Sequence, residues 1–190
     1  MEPLWASLLA LDGRVSEEVT DLRCQVLTDA MHAVSSWWVK GPLFVAVALI
    51  ADLVAARAAR RWVPLGMFAT LGSVLLASFA STWAKGVFDR ARPPLSDVGI
   101  SAIAVLPRSA SFPSGHATTA FAAAAALAVM RPSLRWWAFG LAAAVAFSRV
   151  YLGVHFAGDV LAGALLGGAT GAALGLLARR IGNVAPSPAV

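Results

Sequence analysis

A chain of 190 residues has room for one domain, and 59% of its residues are hydrophobic while only 13% are charged. Soluble globular proteins average about 45–50% hydrophobic residues and about 25% charged residues. The composition and the mean hydropathy of +0.74 therefore predict an integral membrane protein. The net charge of +5 does not indicate nucleic-acid binding, because the basic residues lie at the ends of apolar runs and form no basic face.

The N-terminal region, residues 1–40, is predicted to contain an amphipathic helix. Charged residues interrupt 15–38 too often for a lipid-embedded span, so this helix is expected to lie on the membrane surface or pack across the bundle. Trp37 and Trp38 are expected to anchor it at the interface. One helical face is indicated by apolar residues at steps of three and four: Val15, Val19, Leu22, Val26, Ala30, Val34 and Trp37.

Five apolar runs follow, and a membrane span needs about 20 residues, within a range of about 17–25. They predict an all-α integral membrane bundle of five transmembrane helices, or six if the N-terminal helix also crosses. The membrane domain is placed at 41–180 and a C-terminal tail at 181–190. The runs are Pro42–Ala59, Pro64–Ala84, Ser114–Met130, Trp136–Tyr151 and His155–Ala178.

The arginines predict the orientation. With five spans, seven of them fall on one side, which the positive-inside tendency assigns to the cytoplasm. The segment Lys85–Pro93, the loop 94–113 and the turn 149–155 then face outward. The loop stretch "VGISAIAVLP" either lines a path for lipid or is a simple surface loop. The seven inner arginines are Arg57, Arg60, Arg61, Arg131, Arg135, Arg179 and Arg180.

In the last run, Gly163, Gly167, Gly171 and Gly175 repeat every four residues, which predicts a ridge for close helix packing in lipid. The charged Asp52 in the first run is interpreted as a paired or snorkelled structural residue, with Arg57 about one and a half turns away.

Three outward clusters contain residues suited to chemistry. In "KGVFDRARP", Lys85 and Arg92 are seven apart and share a face if the helix continues that far. The alternative is ordinary pairing of cations with a helix C-terminus and lipid headgroups. In "SRVYLGVHFAGD", Asp159 lies four residues after His155 and could fix its tautomer, while Arg149 offers a planar fork for phosphate. A structural His–Asp pair is the alternative.

The third cluster, "FPSGH", opens an apolar helix. Pro113 suits a first helical position, and Ser111 or Ser114 could cap the start. The free N–H groups there favour an anion, and Gly115 allows close approach of a ligand. His116 would then lie beside that anion, unless this is only a capped helix with an incidental histidine. His32, on the amphipathic helix, has no comparable partners and is interpreted as structural.

Together the clusters resemble the type 2 phosphatidic acid phosphatase superfamily, membrane lipid phosphatases related to vanadium haloperoxidases. That family's pattern is K-x6-R-P, then P-S-G-H, then S-R-x5-H-x3-D. All its specified positions match here in order and spacing: Lys85, Arg92, Pro93, Pro113, Ser114, Gly115, His116, Ser148, Arg149, His155 and Asp159.

The resemblance implies that His155 attacks phosphorus and forms a phosphohistidine, that Asp159 orients it, and that His116 protonates the leaving oxygen. It also implies that no metal or other cofactor is required. A neutral nucleophilic histidine and a protonated acid predict a bell-shaped pH–rate profile. The phosphate oxygens would be held by Lys85, Arg92, Ser114, Gly115 and Arg149.

The implied function is hydrolysis of a lipid-linked phosphomonoester or diphosphate at the outer face of the cell membrane. Undecaprenyl diphosphate is the favoured substrate, on family frequency alone. Phosphatidic acid, phosphatidylglycerol phosphate and prenyl-phosphosugar phosphates are the alternatives. A vanadate-dependent haloperoxidase would share the anion pocket but not the long apolar runs. A noncatalytic lipid-phosphate binding or transport protein is the remaining alternative, although it would not need both histidines together with Asp159.

Overall fold

The computed structural model describes residues 4–59, 64–96 and 99–184, and over these residues the fold is all-α, as predicted. Two short 3-10 turns, Pro93–Leu95 and Pro132–Leu134, interrupt the connections. Arg60, Arg61 and residues 185–190 of the predicted tail lie outside the described residues. The helices are α1 (Leu4–Asp21), α2 (Gln25–Val34), α3 (Pro42–Ala59), α4 (Leu65–Phe88), α5 (Gly115–Met130), α6 (Arg135–Tyr151) and α7 (Ala157–Val184).

Helix α5 is the centre of the bundle. It is rich in alanine and apolar on every side, which is the pattern of a helix surrounded by others. Helices α3, α4, α6 and α7 all pack against it. The small side chains let these neighbours approach closely, and the core contains Ala120, Ala124 and Leu127 of α5 beside Phe44 and Val145.

The glycine ridge of α7 packs on α5, as the sequence predicts. A Cβ atom at Gly167 would overlap the carbonyl oxygen of Thr118, and one at Gly171 would overlap that of Ala122. A Cβ atom at Gly163 would lie 2.7 Å from the carbonyl oxygen of Ser114. The backbones of α5 and α7 therefore touch along their length, which fixes the start of α7 beside the start of α5.

This contact predicts different results for two adjacent glycines. Gly167→Ala should destabilise the fold by about 1–3 kcal/mol, because the new methyl group meets backbone that cannot move aside. Gly168→Ala should be neutral or slightly stabilising, since no atom lies within 4 Å of a Cβ there. Thermal unfolding in detergent measures both, and equal melting temperatures would contradict the packing described here.

The predicted apolar runs correspond to α3 to α7. Two segments, Leu65–Leu95 and Ala157–Gly182, are long and apolar enough to cross a bilayer by length and composition alone. Helix α5 is apolar but has 16 residues. Helix α7 continues to Val184, beyond the predicted end at Ala178.

The arginine-rich end of the bundle is opposite the three clusters. It contains the start of α4 and the ends of α5 and α7, where Leu65, Arg131 and Arg179 line one cavity. Asp52 has a structural role there, as interpreted, but its partner is Arg131, at 2.5 Å, rather than Arg57. Asp52 also accepts a hydrogen bond of 2.9 Å from the Met67 N–H, in the first turn of α4.

The N-terminal region is two helices, so the prediction of one helix over 15–38 is wrong. The break lies at residues 22–24, where Cys24 is extended. Arg23 there donates to the carbonyl oxygens of Tyr151, at 3.0 Å, and Ser101, at 2.9 Å. Ser16, in the middle of α1, accepts from the Ala157 N–H at 2.9 Å. Because both points of contact lie at the same end of the bundle, α1 lies across that end.

Candidate active site

The predicted site residues converge at the end of the bundle covered by α1. Lys85 lies in the last turn of α4, Arg149 in the last turn of α6, and Asp159 in the first turn of α7. Ser114 is the residue before α5, and the α5 sequence begins with Gly115 and His116. Arg92 lies in the connection after α4, and His155 lies in the turn between α6 and α7.

His155 is held between a carboxylate and a guanidinium. Its Nδ1 lies 3.4 Å from Oδ2 of Asp159, and its Nε2 lies 3.2 Å from Nη1 of Arg92. An arginine only donates, so Nε2 must be the acceptor and Nδ1 must carry the proton that faces Asp159. The predicted pairing is present, and the lone pair of Nε2 points toward the cations.

Asp159 is fully buried, and four groups surround its carboxylate. Oδ2 accepts from the hydroxyl of Ser111 and, at 3.0 Å, from the Phe156 N–H, in addition to His155. Oδ1 accepts from Nη1 of Arg90 at 2.7 Å. These bonds compensate for removing a charge from water and fix the plane of the carboxylate.

Burial lowers the pKa of His155 to about 4, although the hydrogen bond to Asp159 acts in the opposite direction. The positive charges of Arg92 and Arg149 lower it further. A lowered pKa favours the uncharged ring, so the histidine keeps its lone pair at neutral pH. This is the form that a nucleophile needs.

We therefore expect the His155 ring to remain neutral from about pH 8 down to about pH 5, whereas an ordinary histidine titrates near about 6.5. Carbon-13 NMR of histidine-labelled protein in detergent measures this directly. The variants His32→Gln and His116→Gln assign the three resonances. A His155 resonance that titrates near the ordinary value would show that burial does not control its charge.

Arg92 does not share a helical face with Lys85, because the helix does not continue as far as the shared face would require. Helix α4 ends at Phe88, where Asp89 takes a left-handed conformation with φ of 39°. The chain then turns back, and Arg92 donates to the carbonyl oxygens of Val154, at 2.6 Å, and Ser109, at 2.9 Å. Lys85 donates to the carbonyl oxygen of Ala110 at 2.5 Å. Both cations nevertheless reach the same site.

The loop 99–113 closes this side of the site. Alternate residues of its apolar stretch, Ala102, Ala104 and Leu106, pack against the turn between α6 and α7. Val105 between them is 92% exposed. The loop therefore has one packed side and one outward side, and its last carbonyl groups orient the cations.

Neither serine hydroxyl caps α5, contrary to the expectation for this helix start. Ser111 donates to Asp159 instead, and Ser114 is the residue before the helix but makes no side-chain cap. The Thr118 N–H makes a backbone hydrogen bond of 2.9 Å to the Ser114 carbonyl, and the Ser114 N–H donates to the Asp159 carbonyl at 2.9 Å. The N–H groups of residues 115–117 between them have no acceptor within the helix and can face a ligand. The Ser114 hydroxyl is fully buried and has no partner among the described residues.

Arg149 is buried and only partly satisfied. Its Nη1 donates to the hydroxyl of Ser35, and among the described residues its Nε has no partner. The side chain is 6% exposed. A buried guanidinium with an unused donor is costly unless a ligand accepts that hydrogen bond.

Two residues outside the predicted set lie near Arg149 and His116. Ser35 contacts Arg149, and Lys40 lies close enough for its charge to act on His116. Burial lowers the pKa of Lys40, and the charge of Arg149 lowers it further. Both residues belong to the connection between α2 and α3, whose sequence gives no signal for an anion site.

Arg90 and Ser111 were also not predicted as site residues, although Arg90 lies inside "KGVFDRARP" and Ser111 directly precedes "FPSGH". Arg90 and Arg92 are two apart in a segment without helix, so both side chains can turn toward the site. The arrangement as a whole provides a neutral imidazole lone pair, several cations and unused buried donors in one place. It can hold a tetrahedral anion against a nucleophile.

The chain is similar to several known proteins. The family profile described as the PAP2 superfamily matches residues 66–181. Decaprenylphosphoryl-5-phosphoribose phosphatase of Mycolicibacterium smegmatis is 36% identical over 142 residues, which are 73% of this chain and 71% of the relative. Lipid A 1-phosphatase of Rhizobium etli is 33% identical over 56% of this chain and 47% of its own length.

An undecaprenyl-diphosphatase of Sulfolobus acidocaldarius is 45% identical over 64 residues, 32% of this chain and 30% of the relative. Two solved structures share the fold. A transmembrane PAP2 type phosphatidylglycerolphosphate phosphatase from Bacillus subtilis has a TM-score of 0.71 at 22% identity, covering 96% of this chain and 90% of that chain. LpxE of Aquifex aeolicus has a TM-score of 0.62 at 20% identity, covering 88% of this chain and 93% of that chain.

Proposed function

Because this chain belongs to the PAP2 superfamily and is a lipid phosphatase, we propose that it releases phosphate from a polyprenyl-linked phosphomonoester or diphosphate through a phosphohistidine at His155. The observation that carries this proposal is a pair of buried donors at the site that have no partner in the described part of the chain, the Ser114 hydroxyl and Arg149 Nε. Ser114 is the residue before α5, whose first N–H groups have no acceptor within the helix, and Arg149 lies in the last turn of α6. A phosphate group would satisfy all of them together.

In the proposed reaction, Nε2 of His155 attacks phosphorus in line with the leaving oxygen. The N–P bond forms as the P–O bond to the lipid breaks, and His116 gives its proton to that oxygen. Water then attacks phosphorus, His116 takes a proton from it, and the N–P bond breaks to release phosphate. Asp159 accepts the hydrogen bond from Nδ1 and stabilises the charged ring.

The charge on the phosphate oxygens is balanced by the protein's own donors. Lys85, Arg92 and Arg149 supply three positive charges, and Ser114 and the Gly115 N–H supply two neutral donors. Such fixed groups stabilise the transition state because they need no reorientation as charge develops. We therefore propose that turnover needs no metal ion, which EDTA tests directly.

A polyprenyl carrier is the proposed lipid. The relatives from M. smegmatis and S. acidocaldarius carry names that specify decaprenyl and undecaprenyl substrates. The first of these aligns over most of both chains, which favours a prenyl-phosphosugar phosphate over undecaprenyl diphosphate. Phosphatidic acid and phosphatidylglycerol phosphate are the competing substrates within the same proposal.

We propose that the protein crosses the cell membrane five times, with residues 41–180 as the membrane domain and residues 1–40 at the outer interface. The contacts of α1 with the site end favour this arrangement over a sixth span. The site then faces outward and the arginine-rich end faces the cytoplasm.

Membrane-impermeant labelling of single cysteines tests this orientation. In a Cys24→Ser background, Val105→Cys places a thiol on the exposed loop at the site end, and Ser133→Cys places one at the other end. Labelling of position 105 alone in intact cells is expected. Labelling of position 133 alone would overturn the outward site.

The substrate experiment is phosphate release by the purified protein in detergent with EDTA present. The panel contains decaprenylphosphoryl-5-phosphoribose, undecaprenyl diphosphate, phosphatidic acid, phosphatidylglycerol phosphate and a soluble phosphomonoester. EDTA-resistant release, fastest from a polyprenyl substrate, is expected. Faster release from the glycerolipids would overturn the polyprenyl assignment, and release only after metal addition would overturn the metal-free mechanism.

A further inference from the structure

Helix α1 makes a chain of polar contacts that ends on the carboxylate of Asp159. We propose that Asp12, acting through Arg90, is a positioning residue that holds Asp159 and thereby orients His155. This inference rests on the proposed function, because it assumes that His155 is the nucleophile. It gives the N-terminal helix, which lies outside the matched residues 66–181, a role in the reaction.

The first contact joins Arg90 to Oδ1, one of the two carboxylate oxygens of the buried Asp159. Oδ1 of Asp159 accepts from Nη1 of Arg90 at 2.7 Å, whereas the other three donors all contact Oδ2. Arg90 therefore holds the oxygen that the other donors leave free, and together with them it fixes the rotation of the carboxylate. A rotated carboxylate would not present Oδ2 to Nδ1 of His155.

The second contact fixes Arg90 itself. Its Nη2 donates to Oδ2 of Asp12 at 2.8 Å, and its guanidinium lies 4.1 Å from the centroid of the Phe156 ring. The Arg90 and Asp12 side chains are only 22% and 14% exposed, so water competes weakly for this pair. The Arg90 guanidinium has one nitrogen bonded to each carboxylate and its carbon over the Phe156 ring, so its plane is held in one orientation.

The third contact fixes Asp12 to the start of α7. Oδ1 of Asp12 accepts from the Gly158 N–H at 2.7 Å. The Ser16 hydroxyl accepts from the Ala157 N–H at 2.9 Å and donates to the Asp12 carbonyl at 2.7 Å. Phe156, before α7, has no side-chain acceptor for these N–H groups, so α1 supplies the cap from another helix.

These contacts let two substitutions separate positioning from capping. In Asp12→Asn the amide oxygen can still accept from Gly158, but the amide nitrogen faces the donor of Arg90. Ser16→Ala removes a cap and leaves the Arg90 pair intact. Glu18→Gln removes an exposed charge from the same helix and is the matched control.

The experiment measures kcat, KM and competitive inhibition by inorganic phosphate for these variants, using the best lipid of the panel. Asp12→Asn is expected to lower kcat about 10- to 100-fold, because a small displacement of reacting groups has effects of this size. KM and the inhibition constant for phosphate should change less than about twofold, since the anion donors remain. Glu18→Gln should match the parent in every quantity. Ser16→Ala should lower the melting temperature while kcat stays close to that of the parent.

A double-mutant cycle with Arg90→Gln completes the test. If Asp12 acts through Arg90, the double variant should have the kcat of Arg90→Gln alone. Full additivity, an unchanged kcat in Asp12→Asn, or parallel losses of kcat and phosphate binding would each overturn the proposal. His155→Ala in the same assay isolates the underlying assumption, because retained turnover there would instead refute the nucleophile.

Discussion

His155→Ala is expected to reduce phosphate release by at least about 10³-fold, the largest effect of any single substitution in this protein. The reason is that Nε2 of His155 carries an uncharged nitrogen lone pair, and the geometry places this lone pair against a cation of the site. Arg92 donates to it at 3.2 Å, and the buried, neutral ring cannot be replaced by water without losing the alignment. Binding of the lipid should persist, because the donors for the phosphate are untouched.

A labelling experiment separates loss of the nucleophile from loss of the fold. Rapid quenching with lipid labelled at the terminal phosphate should leave an acid-labile, base-stable phosphoprotein in the parent and none in His155→Ala. His32→Ala is the control, since His32 is exposed on α2 and contacts none of the site residues described above. Labelling of the alanine variant, or turnover close to that of the parent, would exclude His155 as the nucleophile.

The middle of the chain is predictable because its signals are local. Each of the helices α3 to α7 corresponds to a mainly apolar run bounded by glycine, proline or charge. The four-residue spacing of the glycines in α7 predicts close packing against another helix. The four-residue spacing of His155 and Asp159 brings their side chains together within one helical turn. Features of this kind depend only on residues that are neighbours in the sequence, so they can be predicted from it.

The N-terminal region is less predictable because its structure is determined by distant partners. No glycine or proline breaks the stretch 15–38, and the chain leaves the helix where Arg23 reaches the carbonyl oxygens of Tyr151 and Ser101. The bond between Arg90 and Asp12 likewise joins residues 78 positions apart. Nothing near Asp12 in the sequence distinguishes it from the other acidic residues of α1.

The helix start at Ser114 shows the same division between local pattern and distant contact. Its sequence suits a capped helix, and local propensity alone favours a capping hydroxyl. The hydroxyl of Ser111 is taken by Asp159, which comes from α7, while that of Ser114 is left without a partner among the described residues. The proposed phosphate site would need such unused donors, and departures from a local rule are expected at functional sites.

Arg149→Met is expected to have the second large effect on activity. This substitution also separates activity from stability. Activity should fall by about 10²- to 10³-fold, the effect of losing one donor that stabilises transition-state charge. The melting temperature should stay the same or rise. Arg149 is buried beside the cations Arg92 and Lys40, and its Nε is without a partner among the described residues, so the folded protein holds a charge that it does not need for packing.

Methionine fills a similar volume without that charge, and only the hydroxyl of Ser35 loses a described partner. Arg180→Met, an exposed arginine at the opposite end, is the matched control and should change neither quantity. The comparison requires phosphate release and thermal unfolding on the same preparations. A variant that keeps more than about a tenth of the activity would show that Arg149 is not a phosphate donor. A variant that loses activity only because it melts earlier would show that its guanidinium is structural, and that the unused donor is no mark of a ligand.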